Sequence, residues 1–262
     1  MNFESKPLIG VVHLRPLPGS PKFSGNLEDV IENAIRDARA YEEAGFDAVI
    51  LENFGDYPFA KEVGKETVAS FAVVAKEVRR GVSIPIGINV LRNDCIAAYG
   101  IAYSVKAEFI RVNVLTGVAF TDQGIIEGCA RDLAIMRRSL PGIKVFADVH
   151  VKHAVHFSRL EDALLDTVER GGADAIIVSG SRTGSEVSLN DLKTAKKVSR
   201  VPVIVGSGVN TRNLPLLAKF ADGFIVGTWV KEGGVTENPV SVERAKALVR
   251  VRNDILQRQR IK

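Results

Sequence analysis

The chain has 262 residues, of which 46% are hydrophobic and 25% charged, with 23 glycines and 10 prolines. That composition supports a large buried core and excludes a disordered, fibrous or low-complexity protein. Lys and Arg number 35 against 31 Asp and Glu, a formal charge of +4, but the excess is local: Arg244, Lys246, Arg250, Arg252, Arg258, Arg260 and Lys262 face only Glu243 and Asp254 at the C-terminal end, so the rest is near neutral and no nucleic-acid binding is expected.

Short β-branched runs alternate with longer amphipathic stretches, the pattern of βα units around a parallel sheet. The first strand is read at 9–13 (IGVVH). Asn26 then caps a helix with Asp29 three residues on; Leu27, Val30, Ile31, Ala34, Ile35, Ala38 and Tyr41 form its apolar stripe, and Gly45 ends it. The cadence continues with strand 48–52, helix 66–80, strand 84–89, helix 94–105, strand 109–113, helix 125–139 and strand 144–150. Helix 160–170, strand 174–179, helix 189–198, strand 201–206, helix 211–219, strand 222–227 and helix 241–258 complete it. Eight units of about 33 residues fit a barrel of roughly 250 residues. The phrases AGFDA (44–48), GGADA (171–175) and FADG (220–223) repeat one helix-end, turn and strand-start device. The reading is an α/β fold, a single (β/α)8 TIM barrel over 1–262 that ends in a basic helix at about 241–262. No GxGxxG follows the first strand, and Gly64-Lys65 lacks the rest of a Walker A loop.

Cys95 and Cys129 have no CxxC or metal spacing. They are read as small apolar residues in helices, suiting a reducing compartment. The N-terminal MNFESKPLIGVVHL carries Glu4 and Lys6 before a short β-like run, and no uncharged run exceeds about 11 residues where a membrane helix needs around 20. A cytoplasmic protein with no transmembrane segment is expected. The basic terminal helix reads first as a solvated charged face, with peripheral contact to an anionic membrane or an acidic partner as the alternative. A homo-oligomer is left open.

In such barrels the chemistry sits on the loops after the strands. Those ends carry His13, Glu52, Asn53, Asn89, Arg111, Asn113, Asp148, His150, Lys152 and Ser179, and all four histidines fall after the first and fifth predicted strands. After the last two strands, Gly206, Ser207, Gly208 and Val209, then Gly227 and Thr228, can turn backbone N–H groups toward a phosphate; two tight turns that need glycine are the plainer alternative. Period two in FADVHVK puts Asp148, His150 and Lys152 on one face. There His150 would shuttle a proton, Asp148 orient it, and Lys152 neutralise an oxyanion or serve as a Schiff-base amine. A divalent metal held by Glu52, Asp148 and His150 is a second reading, and a hydrogen-bonded polar layer a third. No other cofactor is expected. Glu52 reads as a base or as an ion-pair partner of Arg111. Arg111 and Asn113 read as a grip on a substrate carboxylate or phosphate, or as part of that polar layer. Loops 14–25, 53–65, 114–124 and 180–188 are long enough to cover a site. In the last, Thr183 and Gly184 would close over an anionic ligand, unless the loop is only solvated surface. His153, His156, Trp229 and Lys231 are read as structural, lid, packing or surface residues.

The segments GVVHLRPLPGSP (10–21), DAVILENFGDYPF (47–59), GINVLRND (87–94), FIRVNVLTGVAFTDQGIIEG (109–128), FADVHVKHA (146–154), VGSGV (205–209) and ADGFIVGTWVKEGG (221–234) together resemble the BtpA family, also called BtpA/SgcQ. The resemblance runs from the first strand into the last unit, and only Trp229 stands where a small residue is expected. It implies a barrel similar to those that bind phosphorylated small molecules, in a family described as photosystem I biogenesis factors in cyanobacteria with relatives in organisms that have no photosystem. The combined expectation is an enzyme of lyase, aldolase or isomerase type acting on a small phosphorylated metabolite. The alternatives are a non-catalytic assembly factor and a metal-dependent hydrolase.

Overall fold

The computed structural model describes residues 1–260, so the last two residues of the predicted helix 241–262 lie outside the described residues. Along the chain the strands are β1 (Leu8–His13), β2 (Ala48–Glu52), β3 (Ile86–Asn89), β4 (Phe109–Val112), β5 (Val118–Thr121), β6 (Gly124–Glu127), β7 (Lys144–Asp148), β8 (Ala154–Val155), β9 (Ala175–Val178), β10 (Val203–Val205) and β11 (Gly223–Val226). The helices are α1 (Leu27–Ala44), α2 (Lys65–Gly81), α3 (Cys95–Val105), α4 (Ala130–Ser139), α5 (Leu160–Leu165), α6 (Leu189–Val198), α7 (Leu214–Leu217) and α8 (Val242–Arg260). Strands β1, β2, β3, β4, β7, β9, β10 and β11 close into a barrel in that order, every pair parallel. The predicted (β/α)8 barrel is therefore the fold.

The local signals act as read. The Asn26 side chain accepts from the Asp29 N–H, and Gly45 ends α1 in the left-handed region at φ 89°; Asp94 and Ser188 cap α3 and α6 in the same way. Two apolar layers result. Ile9, Val11, Ala48, Ile50, Phe109, Phe146, Ala175, Ile177, Ile204 and Ile225 fill the barrel interior, while the outward side chains pack against the helices. Phe109 and Phe146 stack at 4.7 Å between centroids. Gly87 leaves room for them, since a Cβ there would enter the Phe109 ring.

Four segments depart from the sequence reading. Helix 125–139 begins only at Ala130, because Gly124 at φ 91° turns β5 back into β6 as a hairpin; β8 joins it to make a separate three-stranded antiparallel sheet. Strand 144–150 ends at Asp148, since His150 lies in the left-handed region at φ 52°. Helix 211–219 shrinks to Leu214–Leu217, its approach taken up by reciprocal Asn210 and Asn213 turns. The second half of helix 160–170 is a π-helical turn. Cys95 and Cys129, expected as separate apolar residues, are paired with each other and tie the start of α3 to the start of α4. As paired sulfurs they no longer argue for a reducing compartment. The basic helix is partly spent on the barrel: Arg252 is buried with Asp47 at 2.7 Å, Lys246 meets Glu43 at 2.8 Å, and Arg244 stacks on Trp229. No described helix is long and apolar enough to cross a membrane.

Candidate functional site

Each barrel strand sends an interior residue into the core and, two residues on, another to the mouth. The interior set Val11, Ile50, Gly87, Phe109, Phe146, Ile177, Ile204 and Ile225 is thus followed by a ring of His13, Glu52, Asn89, Arg111, Asp148, Ser179, Gly206 and Gly227. Six positions carry polar side chains and two adjacent strands carry none. The ring is polar on one side and open on the other.

Arg111 sits at the centre of the polar side. Its Nε and Nη2 donate to the two oxygens of Asp148 at 2.8 and 2.9 Å, and its Nη1 donates to Glu52 Oε1 at 2.9 Å. Asn113 adds a bond to Asp148 at 2.9 Å and Asn89 one to Glu52 at 3.1 Å. Ser179 makes a longer contact with Asp148 at 3.4 Å. Arg111, Glu52 and Asp148 are all buried. Burial opposes charge on the guanidinium, but the attraction of Asp148 and then Glu52 outweighs it and holds Arg111 above its ordinary value. The ion-pair and polar-layer readings of Glu52, Arg111 and Asn113 are the observed geometry.

Lys152 reaches the same cleft from the loop after β7. Burial, then the nearby Arg111 charge, brings its amine down to about 8. His13 is held well below its ordinary value by burial and by the charges of Lys231 and Lys152, so its ring is neutral, and its Nδ1 has no partner in the chain.

His150 does not join them. Turned by its left-handed backbone, it stacks on His156 with centroids 4.7 Å apart, and its Nε2 meets Ser158 Oγ at 3.2 Å. This corrects the shared face drawn from period two, because the strand ends before the residue. It also breaks the proposed metal trio. Arg111 is wedged between Glu52 and Asp148, and among the described residues no group of three His, Cys, Asp or Glu side chains could hold a metal.

The open side is built from the predicted glycine turns. Gly208 sits at φ 71°, and a Cβ on it would meet the Ser185 carbonyl at 2.5 Å; one on Gly227 would meet His13 Cε1 at 2.9 Å. Ser207 Oγ accepts from the Gly180 N–H and donates to Ser185 O, pinning loop 180–188 against this turn. A cavity of about 200 Å³ results, lined by Gly206, Ser207, Gly208, Val209, Gly227, Thr228, Thr183, Gly184 and Trp229. Thr183, Gly184 and Glu186 of loop 180–188 therefore form part of the cleft lining. Among the described residues, the N–H groups of Ser207, Gly208 and Thr228 donate to no other group. A second cavity of about 280 Å³ continues from it, with His13, Glu52, Arg111, Lys152 and Thr183 common to both.

Asn53 lies outside the cleft. Fully buried, it bonds Asp56 and both the N–H and the carbonyl of Leu91, stitching the loops after β2 and β3 together. Lys231 is not a surface residue either; it is buried with Asp37 at 2.7 Å. Conversely, the sequence reading passed over Arg92, Asp122, Glu186 and the aromatics Phe54, Tyr57 and Phe59, all of which line the cleft. Arg92 and the aromatics fall within loops that directly follow strands, a signal that was available. Asp122 comes in on the hairpin, which the helix reading concealed.

The fold and this cleft define a (β/α)8 barrel with a charged, partly open mouth. Solved barrels share the fold: thiamine phosphate pyrophosphorylase from Pyrococcus furiosus superposes with a TM-score of 0.62 at 14% identity, over 97% of this chain and 98% of that one. Phosphoribosylanthranilate isomerase from the same organism gives 0.58 at 14% identity, over 95% and 99%. The chain belongs to the BtpA family, whose profile matches residues 4–254. An uncharacterized protein of Pyrococcus horikoshii is 69% identical over 252 residues, 96% of this chain and 97% of that protein. The photosystem I biogenesis protein BtpA of Synechocystis is 45% identical over 248 residues, 93% of this chain and 86% of that one.

Proposed function

We propose that this chain binds a small phosphorylated metabolite and acts on it as an enzyme of lyase, aldolase or isomerase type. One observation carries the reading: the two side-chain-free positions of the mouth ring adjoin, and beside them lie unspent N–H groups at Ser207, Gly208 and Thr228. Gly206–Val209 and Gly227–Thr228 would take the phosphate through backbone dipoles. The reacting part of the ligand would then lie over Glu52 and Lys152, while Asp148, which lines neither cavity, would act through Arg111. With its amine near 8, Lys152 is partly unprotonated around neutral pH, able to move a proton, steady an oxyanion or add to a carbonyl. Arg111 fixes both carboxylates in place. Barrels whose own names specify phosphate-bearing compounds are among the structural neighbours, which supports the class without selecting a reaction. The test is thermal unfolding of the full chain with phosphate, sugar phosphates and nucleotides. Saturation near 100 times Kd adds roughly 2.7 kcal/mol. No stabilisation by any phosphate ester refutes the reading.

A second reading, a non-catalytic assembly factor, is favoured by a different observation. The small sheet exposes Val118, Phe120, Ile125 and Val155, with Phe120 paired across strands to Ile125 and Val155, and exposed Phe157 just after β8 meets Phe120 edge-on at 5.3 Å between centroids. Contiguous exposed apolar surface marks interaction sites. Light scattering of the wild-type chain against a Phe120→Ser, Phe157→Ser variant tests whether this face carries self-association. An unchanged mass removes that support.

A further inference from the structure

The second half of the cleft differs chemically from the glycine-lined half. After β2 the chain places Phe54, Tyr57 and Phe59 along one wall, with centroids 6.3 Å apart between Phe54 and Tyr57 and 6.5 Å between Tyr57 and Phe59. Phe54 packs on His13 at 4.8 Å, so the wall begins at the mouth ring itself. Leu91 lines the same cavity. The loop is held from beneath: Asp56 accepts from the Leu17 N–H at 2.7 Å and from Asn53 at 2.9 Å, and Asn53 in turn grips Leu91. The aromatics therefore stand on a fixed support. Tyr57 is nonetheless exposed, Phe54 and Phe59 are half-buried, and the Lys22 ammonium lies 3.0 Å from the Tyr57 ring centroid.

Polar groups border this wall. Asn113 spends its Nδ2 on Asp148 and leaves its buried Oδ1 without a partner. Asp122 and Arg92 come in from the hairpin and from the loop after β3. A short aliphatic phosphate would leave the aromatic wall facing water. A ring would cover it and offer edge groups to these neighbours.

We propose that the ligand is bipartite: a phosphate in the turns at Gly206–Val209 and Gly227–Thr228, joined to a planar aromatic or heteroaromatic ring seated on Phe54, Tyr57 and Phe59. This rests on the phosphate reading above and adds the class of group that phosphate carries. Stacking on an aromatic platform strengthens binding about fivefold to 150-fold per ring.

The experiment compares matched pairs by calorimetry on the full chain: phenyl phosphate against glycerol 3-phosphate, and adenosine 5′-monophosphate against ribose 5-phosphate, with inorganic phosphate as reference. In at least one pair the ring compound binds about five times or more tighter. In Phe59→Ala and Tyr57→Ala that advantage falls toward unity while affinity for inorganic phosphate is unchanged. If the phosphates bind but neither pair favours the ring, or if the advantage survives both substitutions, the ring assignment is overturned and the phosphate reading stands. If no phosphate compound binds, both fall.

Discussion

Arg111→Met tests whether the mouth ring is held by one buried cation. In the wild-type chain Arg111 makes three charge-assisted bonds of 2.8 to 2.9 Å to Asp148 and Glu52, and all three side chains are nearly excluded from water. The worth of the intact network is small, because desolvating three charges offsets most of their attraction. Removing the cation alone is different, since two carboxylates then stay buried beside each other with only Asn89, Asn113 and Ser179 as donors. Leaving a buried charge uncompensated costs about 3–5 kcal/mol. For a chain of this size that lowers the Tm by at least about 6 °C at pH 7. Acid relieves it, because protonation removes the uncompensated charge. The measurement is guanidinium and thermal unfolding of wild type, Arg111→Met, and Arg111→Met combined with Glu52→Gln and Asp148→Asn. The combined variant recovers most of the loss, since it restores neutrality. A loss below about 1 kcal/mol, or no recovery in the combined variant, refutes the reasoning.

Three further outcomes are expected. Labelling of Lys152 by an amine-directed acylating reagent follows a midpoint near pH 8 rather than the ordinary 10.5. An amine depressed on folding binds fewer protons in the folded than in the unfolded chain over that window, so its burial penalty is complete below about 8 and fades toward 10.5; the stability of Lys152→Met relative to wild type therefore declines as pH rises through it. In Gly208→Ala the new methyl meets the Ser185 carbonyl and the backbone must hold φ 71°; calorimetry with inorganic phosphate shows binding lost, while circular dichroism stays native. Alkylation of denatured but unreduced chain, read by mass spectrometry, leaves Cys95 and Cys129 unmodified until a reductant is added.

The barrel was legible because the units repeat one periodicity, to which α1, α3 and α6 add side-chain caps. Asn26 and Gly45 bound α1 as read, and the apolar strand runs are buried on both faces. The mouth ring was legible for the same reason. Once Val11, Ile50, Phe109 and Phe146 are inward, period two makes His13, Glu52, Arg111 and Asp148 the next inward residues. His150 was misplaced because that rule holds only while the strand lasts, and a single left-handed residue ends it. Helix 125–139 failed at its start because Ile125 and Ile126 serve a helical stripe and a strand equally well, and Gly124 decides for the hairpin. Pairings between distant segments, such as Lys231 with Asp37 or Cys95 with Cys129, leave no local trace.

The formal +4 of the chain says little about how an anion would be held. Several of the basic groups in α8 are turned back on Asp47, Glu43 and Trp229. Within the cleft, Arg92, Arg111 and Lys152 are matched by Glu52, Asp122 and Glu186, while Asp148 lines neither cavity and pairs with Arg111, so the centre carries no large excess of either sign. Glu186 even places a carboxylate beside the glycine turns, where Asn213 engages it at 3.0 Å. Bulk attraction therefore cannot be what selects a phosphate here. Selection would fall to fixed N–H dipoles, whose worth depends on their geometry, and that geometry exists only while positions 206, 208 and 227 have no side chain. The same economy governs the carboxylates, since Arg111 neutralises them and at the same time fixes their direction. In this barrel, position at the mouth rather than quantity of charge sets what the cleft can hold.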